Sequence, residues 1–267
     1  MSLEDFSLPE GTHTVVLGLG DLNGIMRGKR IPASNWENIC KNGNALSAAL
    51  FALDMVCDVW DTPYVNMDNG YPDFHMFPIT KPVSLPWEPG VALAFARAEG
   101  MDHKPVPIDP RQVLIRQLER AQKMGIDIQV GAELEFYLLD PETGLPKEKG
   151  NGVYSLERAA ELEHVLGPIR NNLNEMGIPV EQSNPEYAEG QVEVNIRYDG
   201  ALLAADRVIT FRSLVKQLAF SHGYKATFMA KPHQGQPGSS MHIHQNLVSI
   251  KNGNNIFSDE KGFSTNS

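Results

Sequence analysis

The sequence predicts an α+β fold in two parts, and three observations carry the prediction. A strand–turn–strand pattern occupies residues 13–31, helix followed by strand repeats three times after residue 105, and three of the later strands share a face of Glu, His and amide side chains. The shared face implies a second sheet curved around a polar cavity.

The first part begins with "HTVVLGLGDLNGIMRGKRI" (13–31), read as two strands joined at "DLNG", where Asn23-Gly24 suits positive φ. Gly18, Gly20 and Gly24 do not have the spacing of a dinucleotide-binding loop, and no helix follows them. "RGKR" (27–30) reads as a solvated strand end rather than a phosphate site. "NALSAALFALDM" (44–55) reads as a short helix running into a strand. Six prolines between 61 and 90 suit an irregular region with short edge strands. "RAEGMDHKPVPIDP" (97–110) reads as a linker, so a boundary near residue 105 divides the chain into 1–105 and 106–267.

In the second part, Asp109 can cap a helix with Pro110 at its first position. Leu114, Leu118 and Ala121 give that helix a face, and Gly125 ends it. A strand follows at 127–139. Helices at about 155–176 and 200–222 end at Gly177 and Gly223, the last leading into "KATFMAKP".

Composition excludes several classes. A net charge of −10 argues against nucleic acid, since phosphate backbones need an excess of Lys and Arg. Two cysteines, Cys40 and Cys57, neither in a CxxC, argue for a reducing compartment and against a disulfide scaffold. No apolar run approaches the roughly 20 residues of a membrane helix. A cytoplasmic protein is expected.

The polar face is the informative feature. In "VGAELEFYLLD", Glu133 and Glu135 alternate with Ala132, Leu134 and Phe136. In "EGQVEVNIRY", Gln191, Glu193, Asn195 and Arg197 alternate with Val192, Val194 and Ile196. In "MHIHQNL", His242, His244 and Asn246 alternate with apolar residues. A solvated sheet face also alternates, but such faces favour Lys, Thr and Ser, and Glu and His are poor strand formers. Two unit charges about 4 Å apart repel by roughly 4 kcal/mol at an effective dielectric of about 20, so three converging carboxylates cost on the order of 12 kcal/mol. Protons or a cation must neutralise them, and carboxylates with a few imidazoles suit Mg²⁺ or Mn²⁺ rather than structural zinc.

"GAELEFYLL", "NPEYAEGQVEVNI" and "MAKPHQGQPGSSMHIHQNL" together resemble the glutamine synthetase family, including its γ-glutamyl-amine ligase branches. "DLNGIMRGKRIP" and "GYPDFHMFP" resemble that family's N-terminal domain, and the resemblance runs from about residue 13 to 263. It implies a small β-grasp domain followed by part of a catalytic domain with a curved antiparallel sheet and flanking helices. It implies two stacked hexameric rings, at least two Mg²⁺ or Mn²⁺ sites, and ATP, glutamate and ammonia or a small amine as substrates. By motif, Glu135, Glu186 and Glu193 resemble ligands of the metal on the amino-acid and ammonium side, and Glu133 and His242 ligands of the metal bridging the ATP phosphates. Gly238 and His242 sit where glutamate is held, and Glu181 and His244 where the nucleotide is contacted. Asp54, in "FALD", resembles the aspartate a neighbouring subunit lends to the ammonium site. Asp54, Glu135 and His242 are thus the expected catalytic residues.

Some positions depart from the family pattern: Pro237 for asparagine, Ser240 for glycine, and Asn246 for a small residue. These leave ammonia, an alkylamine and a polyamine all open as the acceptor. A non-catalytic family member is a further reading, and a two-metal hydrolase is the competing reading from another class. Family members continue well past "NNIFSDEKGFSTNS", through a last metal-ligand glutamate and the arginines that clamp phosphates. Losing one electrostatic stabiliser typically costs about 10²–10³ in rate. Residues 1–267 alone are therefore expected to be inactive and prone to associate. Formation of γ-glutamyl product from ATP, glutamate and an amine by purified 1–267 would refute this.

Overall fold

The alternation in "TVVLGLG" builds β1 (Thr14–Gly20), which turns Val15, Leu17 and Leu19 into the core. At "DLNG" the Asp21 carboxylate makes the turn, accepting the amides of Asn23 (2.9 Å) and Ile25 (2.8 Å) and the Arg27 guanidinium (2.9 Å). Of the Asn23-Gly24 pair, only Gly24 takes positive φ, at 66°. The chain returns antiparallel as β2 (Met26–Pro32). Arg27, Lys29 and Arg30 of "RGKR" are held by Asp21, the Ala45 carbonyl and Glu88 respectively.

The computed structural model describes residues 3–150, 152–259 and 262–263. They fall into two compact units, Met1–Glu119 and Arg120–Ser267. In the first, α1 (Trp36–Asn42), β3 (Asn44–Ser47), β4 (Asp73–Pro78), β5 (Val83–Ser84) and β6 (Val91–Gly100) follow β2. The sheet has the order β2-β1-β6-β4-β3, with β5 also on β6. β1 pairs parallel with β6 and the other pairs are antiparallel, so the sheet is mixed. Its core joins the β1 residues to Trp36, Ile39, Phe51, Phe74, Met76 and the small Ala94, Ala96 and Ala98.

Three expectations are corrected in this unit. Residues 44–55 are strand first and helical second. Asn44–Ser47 pair with Met76–Asp73 of β4, and the Ser47 hydroxyl then accepts the Ala49 amide to start a 3-10 turn, Ala48–Ala52. Ladder pairing and burial of Phe51 outweigh the helix preference of the Ala- and Leu-rich run. The supposed linker at 97–110 is strand as far as Gly100, because β4 supplies partners from Pro78 to Phe74. β4 itself is interior rather than an edge; its proline, Pro78, stands at the last position, where a missing amide is tolerated.

Helix α2 (Pro110–Lys123) begins as its sequence predicts, with buried Asp109 accepting the Arg111 amide at 2.9 Å. Gly125, at φ 78°, takes the left-handed position after it.

The second unit is an antiparallel sheet with two long helices. Its strands are β7 (Ile126–Leu139), β8 (Val180–Pro185), β9 (Gln191–Gly200), β10 (Lys225–Thr227) and β11 (Met241–Ser249). β7 is central: β9 pairs along one edge, while β11 and β10 share the other. Helices α3 (Leu156–Glu175) and α4 (Ala201–Ser221) pack on the face bearing Leu134, Phe136, Val192 and Val194. Phe136, Phe211 and Phe228 meet there with ring centroids 5.1–6.4 Å apart. Register shifts at Val130/Ala132 and Val180/Gln182 are bulges, which bend the strands they interrupt. No helix among the described residues is long and apolar enough to cross a membrane.

Phe136→Ala should destabilise the second unit by about 3–5 kcal/mol, because the ring is fully buried among two others. A fall in the urea midpoint with unchanged slope is the expected readout; a loss below about 1 kcal/mol would contradict this account of the core.

Candidate metal centre

Register decides which of the polar side chains meet. Glu135 of β7 lies opposite Glu193 of β9, and Glu133 lies opposite Asn195. On the other edge, His242 of β11 lies opposite Glu133. Because strand side chains alternate, all of these project to the face away from α3 and α4.

Three ligand atoms, one each from Glu133, Glu193 and His242, lie within 4.8 Å of one another. Glu133 is the hub: one carboxylate oxygen is 3.2 Å from His242 Nδ1 and the other 3.0 Å from His244 Nε2. The trio takes one residue from each strand and so draws on both metal sets that the family resemblance implies. Both imidazoles are exposed, whereas Glu193 is buried.

Glu135 and Glu186 flank this group and are also buried. Glu135 Oε2 accepts the Gln191 side-chain amide and the Ser240 backbone amide, each at 3.0 Å. Glu186 Oε1 accepts from Asn184 Nδ2 at 2.9 Å. Burial, and then the charge of Glu135, push the Glu186 carboxyl above its ordinary range. Burial, followed by Glu186 and Glu133, does the same to Glu193. After burial, it is the neighbouring carboxylates that raise the proton affinity of Glu186 and Glu193.

The segment before β11 is fastened to this face. The Tyr137 hydroxyl donates to the Pro237 carbonyl at 2.6 Å, and Gln191 Nε2 donates to the Gly238 carbonyl at 2.9 Å. A β-carbon on Gly238 would come within 2.7 Å of the Ala230 carbonyl oxygen, so only glycine fits that approach. Gly238 is therefore held beside Glu135 through Gln191, a residue to which the sequence reading gave no role.

Two other expected residues are not members of the trio. Glu181 is exposed on β8 at its bulge. Asp54 belongs to the first unit, where its Oδ1 accepts the amides of Val56 (2.8 Å) and Asp58 (2.9 Å). Those bonds, Asp58 foremost, hold its carboxyl below the usual range.

Two further residues lie next to candidate ligands, Asn195 opposite Glu133 and Tyr154 bonded through its amide to the Pro185 carbonyl, and the sequence reading gave neither a site role. Asn195 is buried, and its Oδ1 has no protein partner. Its place in the "VEVNIRY" alternation was the available signal. Tyr154 lies in the loop before α3 with φ 59°, a left-handed backbone that non-glycine residues seldom adopt. Its phenol is held above its usual range by Glu186 first, then by burial, Glu193, Tyr187 and Glu133. Nothing periodic marks a loop tyrosine in sequence.

The donor set fits a hard divalent cation: carboxylates and imidazole within one ion's reach, an unpartnered amide oxygen beside them, and carboxyls that favour neutralisation. Both cysteines are free and lie in the other unit, so no thiolate competes.

Comparison with known proteins agrees with this chemistry. The glutamate–isopropylamine ligase of a Pseudomonas species is 32% identical over 263 residues, covering 94% of this chain and 57% of its own length. The glutamine synthetase of Pyrococcus horikoshii is 33% identical over 252 residues, covering 91% and 52%. The chain thus spans about half the length of the curated relatives it matches. A solved structure described as "Apo GmaS without ligand" superposes with a TM-score of 0.82 at 28% identity, over 96% of this chain and 59% of that one. The family model for the glutamine synthetase catalytic domain matches residues 107–267, and the chain belongs to the glutamine synthetase family.

Proposed function

We propose that this chain serves an ATP-dependent ligase that joins ammonia to the γ-carboxylate of glutamate through an acyl phosphate. The observation that carries the reading is the convergence of Glu133, Glu193 and His242, flanked by Glu135 and Glu186, in a chain of this family. The same family match favours a ligase over the two-metal hydrolase. A small alkylamine is the second reading, because one relative, 32% identical, is a glutamate–isopropylamine ligase while another, 33% identical, is a glutamine synthetase.

A carboxylate is a poor acyl donor. Transfer of the ATP γ-phosphoryl group to it gives an acyl phosphate, which the amine attacks at carbon with release of phosphate. Glu133 and His242 are the proposed holders of the ion that meets ATP, and Glu135, Glu186 and Glu193 of the ion on the amino-acid side. When bound, such ions supply positive charge for the carboxylates and for the phosphoryl oxygens in flight. The chain's own residues do the orienting. Gln191 and the Ser240 amide aim Glu135, and Asn184 aims Glu186. Gly238 and His242 are proposed to hold glutamate, and Glu181 and His244 to contact the nucleotide. Residues 1–105 are proposed as the family's β-grasp domain and 106–267 as the first part of its catalytic domain. Asp54 is proposed to act at a neighbouring subunit's ammonium site in a cytoplasmic double ring of hexamers.

Millimolar Mn²⁺ or Mg²⁺ should raise the melting temperature, with a shift that follows the excess of ion over its dissociation constant. Glu193→Ala or Glu135→Ala should remove most of that shift. Identical melting in Mn²⁺ and in chelator would sink the metal reading.

The shift should also depend on pH. Glu186 and Glu193 have folded-state values raised above the ordinary 4.5, so the folded chain keeps these protons to higher pH than the unfolded chain does. Without an ion, their contribution to stability therefore rises as pH falls through the raised values. Protons then compete with the ion, and the Mn²⁺-induced shift should shrink from about pH 8 to about pH 5. A shift that grew with acidification would contradict this.

For the acceptor, a ligase polypeptide of full family length carrying this sequence should be assayed with ammonium, ethylamine, isopropylamine and putrescine in parallel. Ammonium is expected to have the highest kcat/KM. A preference of about tenfold or more for an alkylamine would move the assignment to the second reading.

A further inference from the structure

Two segments of the second unit meet beside the carboxylates. One is the β8–β9 turn, residues 186–190, which carries the Glu186 site residue and Glu189. The other is the loop from β7 to α3, which carries Tyr154. Two hydrogen bonds are among the contacts that join them. Glu189 Oε1 accepts the Gly150 amide at 2.7 Å, with Lys149 Nζ 3.8 Å from its other oxygen. The Pro185 carbonyl accepts the Tyr154 amide at 3.1 Å.

The turn is itself well determined. Glu186 N–H donates to the Gln191 carbonyl (2.8 Å), and Gln191 N–H to the Ala188 carbonyl (3.1 Å). Gly190 sits at φ 68°, where a β-carbon would come within 2.8 Å of the Leu138 carbonyl oxygen. On the loop side, Lys147 donates to the Gly223 carbonyl at 2.6 Å and Glu148 accepts from the Tyr224 hydroxyl, which fixes the loop's entry. The Tyr154 backbone stays left-handed only if its surroundings hold it there. Of these two ties, one is accepted by a backbone carbonyl and the other by the Glu189 side chain.

We infer that Glu189 is a positioning residue: its carboxylate fastens Gly150, four residues before Tyr154, to the turn that carries Glu186, so that the loop end bearing Tyr154 and that turn are held together. The clamp stands on these contacts alone. Its consequence for cation binding rests on the metal reading proposed above.

The test uses the 267-residue chain with Glu189→Ala and Glu189→Gln, folding being checked by circular dichroism. Amide exchange is read residue by residue. In Glu189→Ala, the amides of both Gly150 and Tyr154 should exchange faster by about tenfold or more, although the acceptor of Tyr154 is untouched. Glu189→Gln should restore both, since its amide oxygen can still accept from Gly150. Mn²⁺ affinity should fall by about tenfold in Glu189→Ala, the usual effect of losing a group that orients a ligand, and stay near wild type in Glu189→Gln. A residue acting through its charge would make the Gln variant as weak as the Ala variant, and that result overturns the inference. Loss of protection confined to Gly150 overturns it too. If the wild-type chain binds no Mn²⁺, the metal reading fails while the exchange data still decide the clamp.

Discussion

The second unit is governed by the repulsion among carboxylates that its sheet gathers on one face. Glu133, Glu135 and Glu193 are brought together by ladder pairing, and Glu186 is added by the turn that precedes β9. Each pairwise repulsion is on the order of a few kcal/mol at an intermediate dielectric. A fold of ordinary stability tolerates this only if protons, hydrogen-bond donors or a cation answer the charge. Burial first, and the neighbouring carboxylates second, raise the proton affinity of Glu186 and Glu193.

The donors that reach Glu135 and Glu186 are neutral amides. Glu135 is served by Gln191 and the Ser240 amide, and Glu186 by Asn184. Neutral donors orient a carboxylate without cancelling its charge, which leaves the site attractive to an ion. Arginine is used differently elsewhere in the chain: Arg27 closes on buried Asp21 at 2.9 Å, and that carboxylate shapes a turn rather than a site.

Rigidity of the face comes from the other side of the sheet. The Phe136, Phe211 and Phe228 cluster and the α3 and α4 packing residues fix the strands, so the polar side chains need no mutual attraction to stay together. On β11 the apolar side chains of Met241 and Ile243 are about half exposed, at 49% and 53%, so that strand is held chiefly by its ladder to β7.

The sequence by itself determined the three helices after residue 105, their ends at glycine, and the polar alternation of β7, β9 and β11, because these follow from period, capping and backbone freedom within a few residues. It also placed Glu133, Glu193 and His242 among the residues of that polar face, since Glu and His are unusual on a strand. Tertiary structure decided what depends on pairing between distant segments. Which acids meet follows from the register of β7 with β9 and β11, and no local pattern encodes it. Residues 44–47 became strand because β4 lay beside them, against the preference of the run that follows. Tyr154 and Glu189 joined the site through a loop and a turn, where side-chain period has no meaning and only the three-dimensional meeting of two segments reveals the contact.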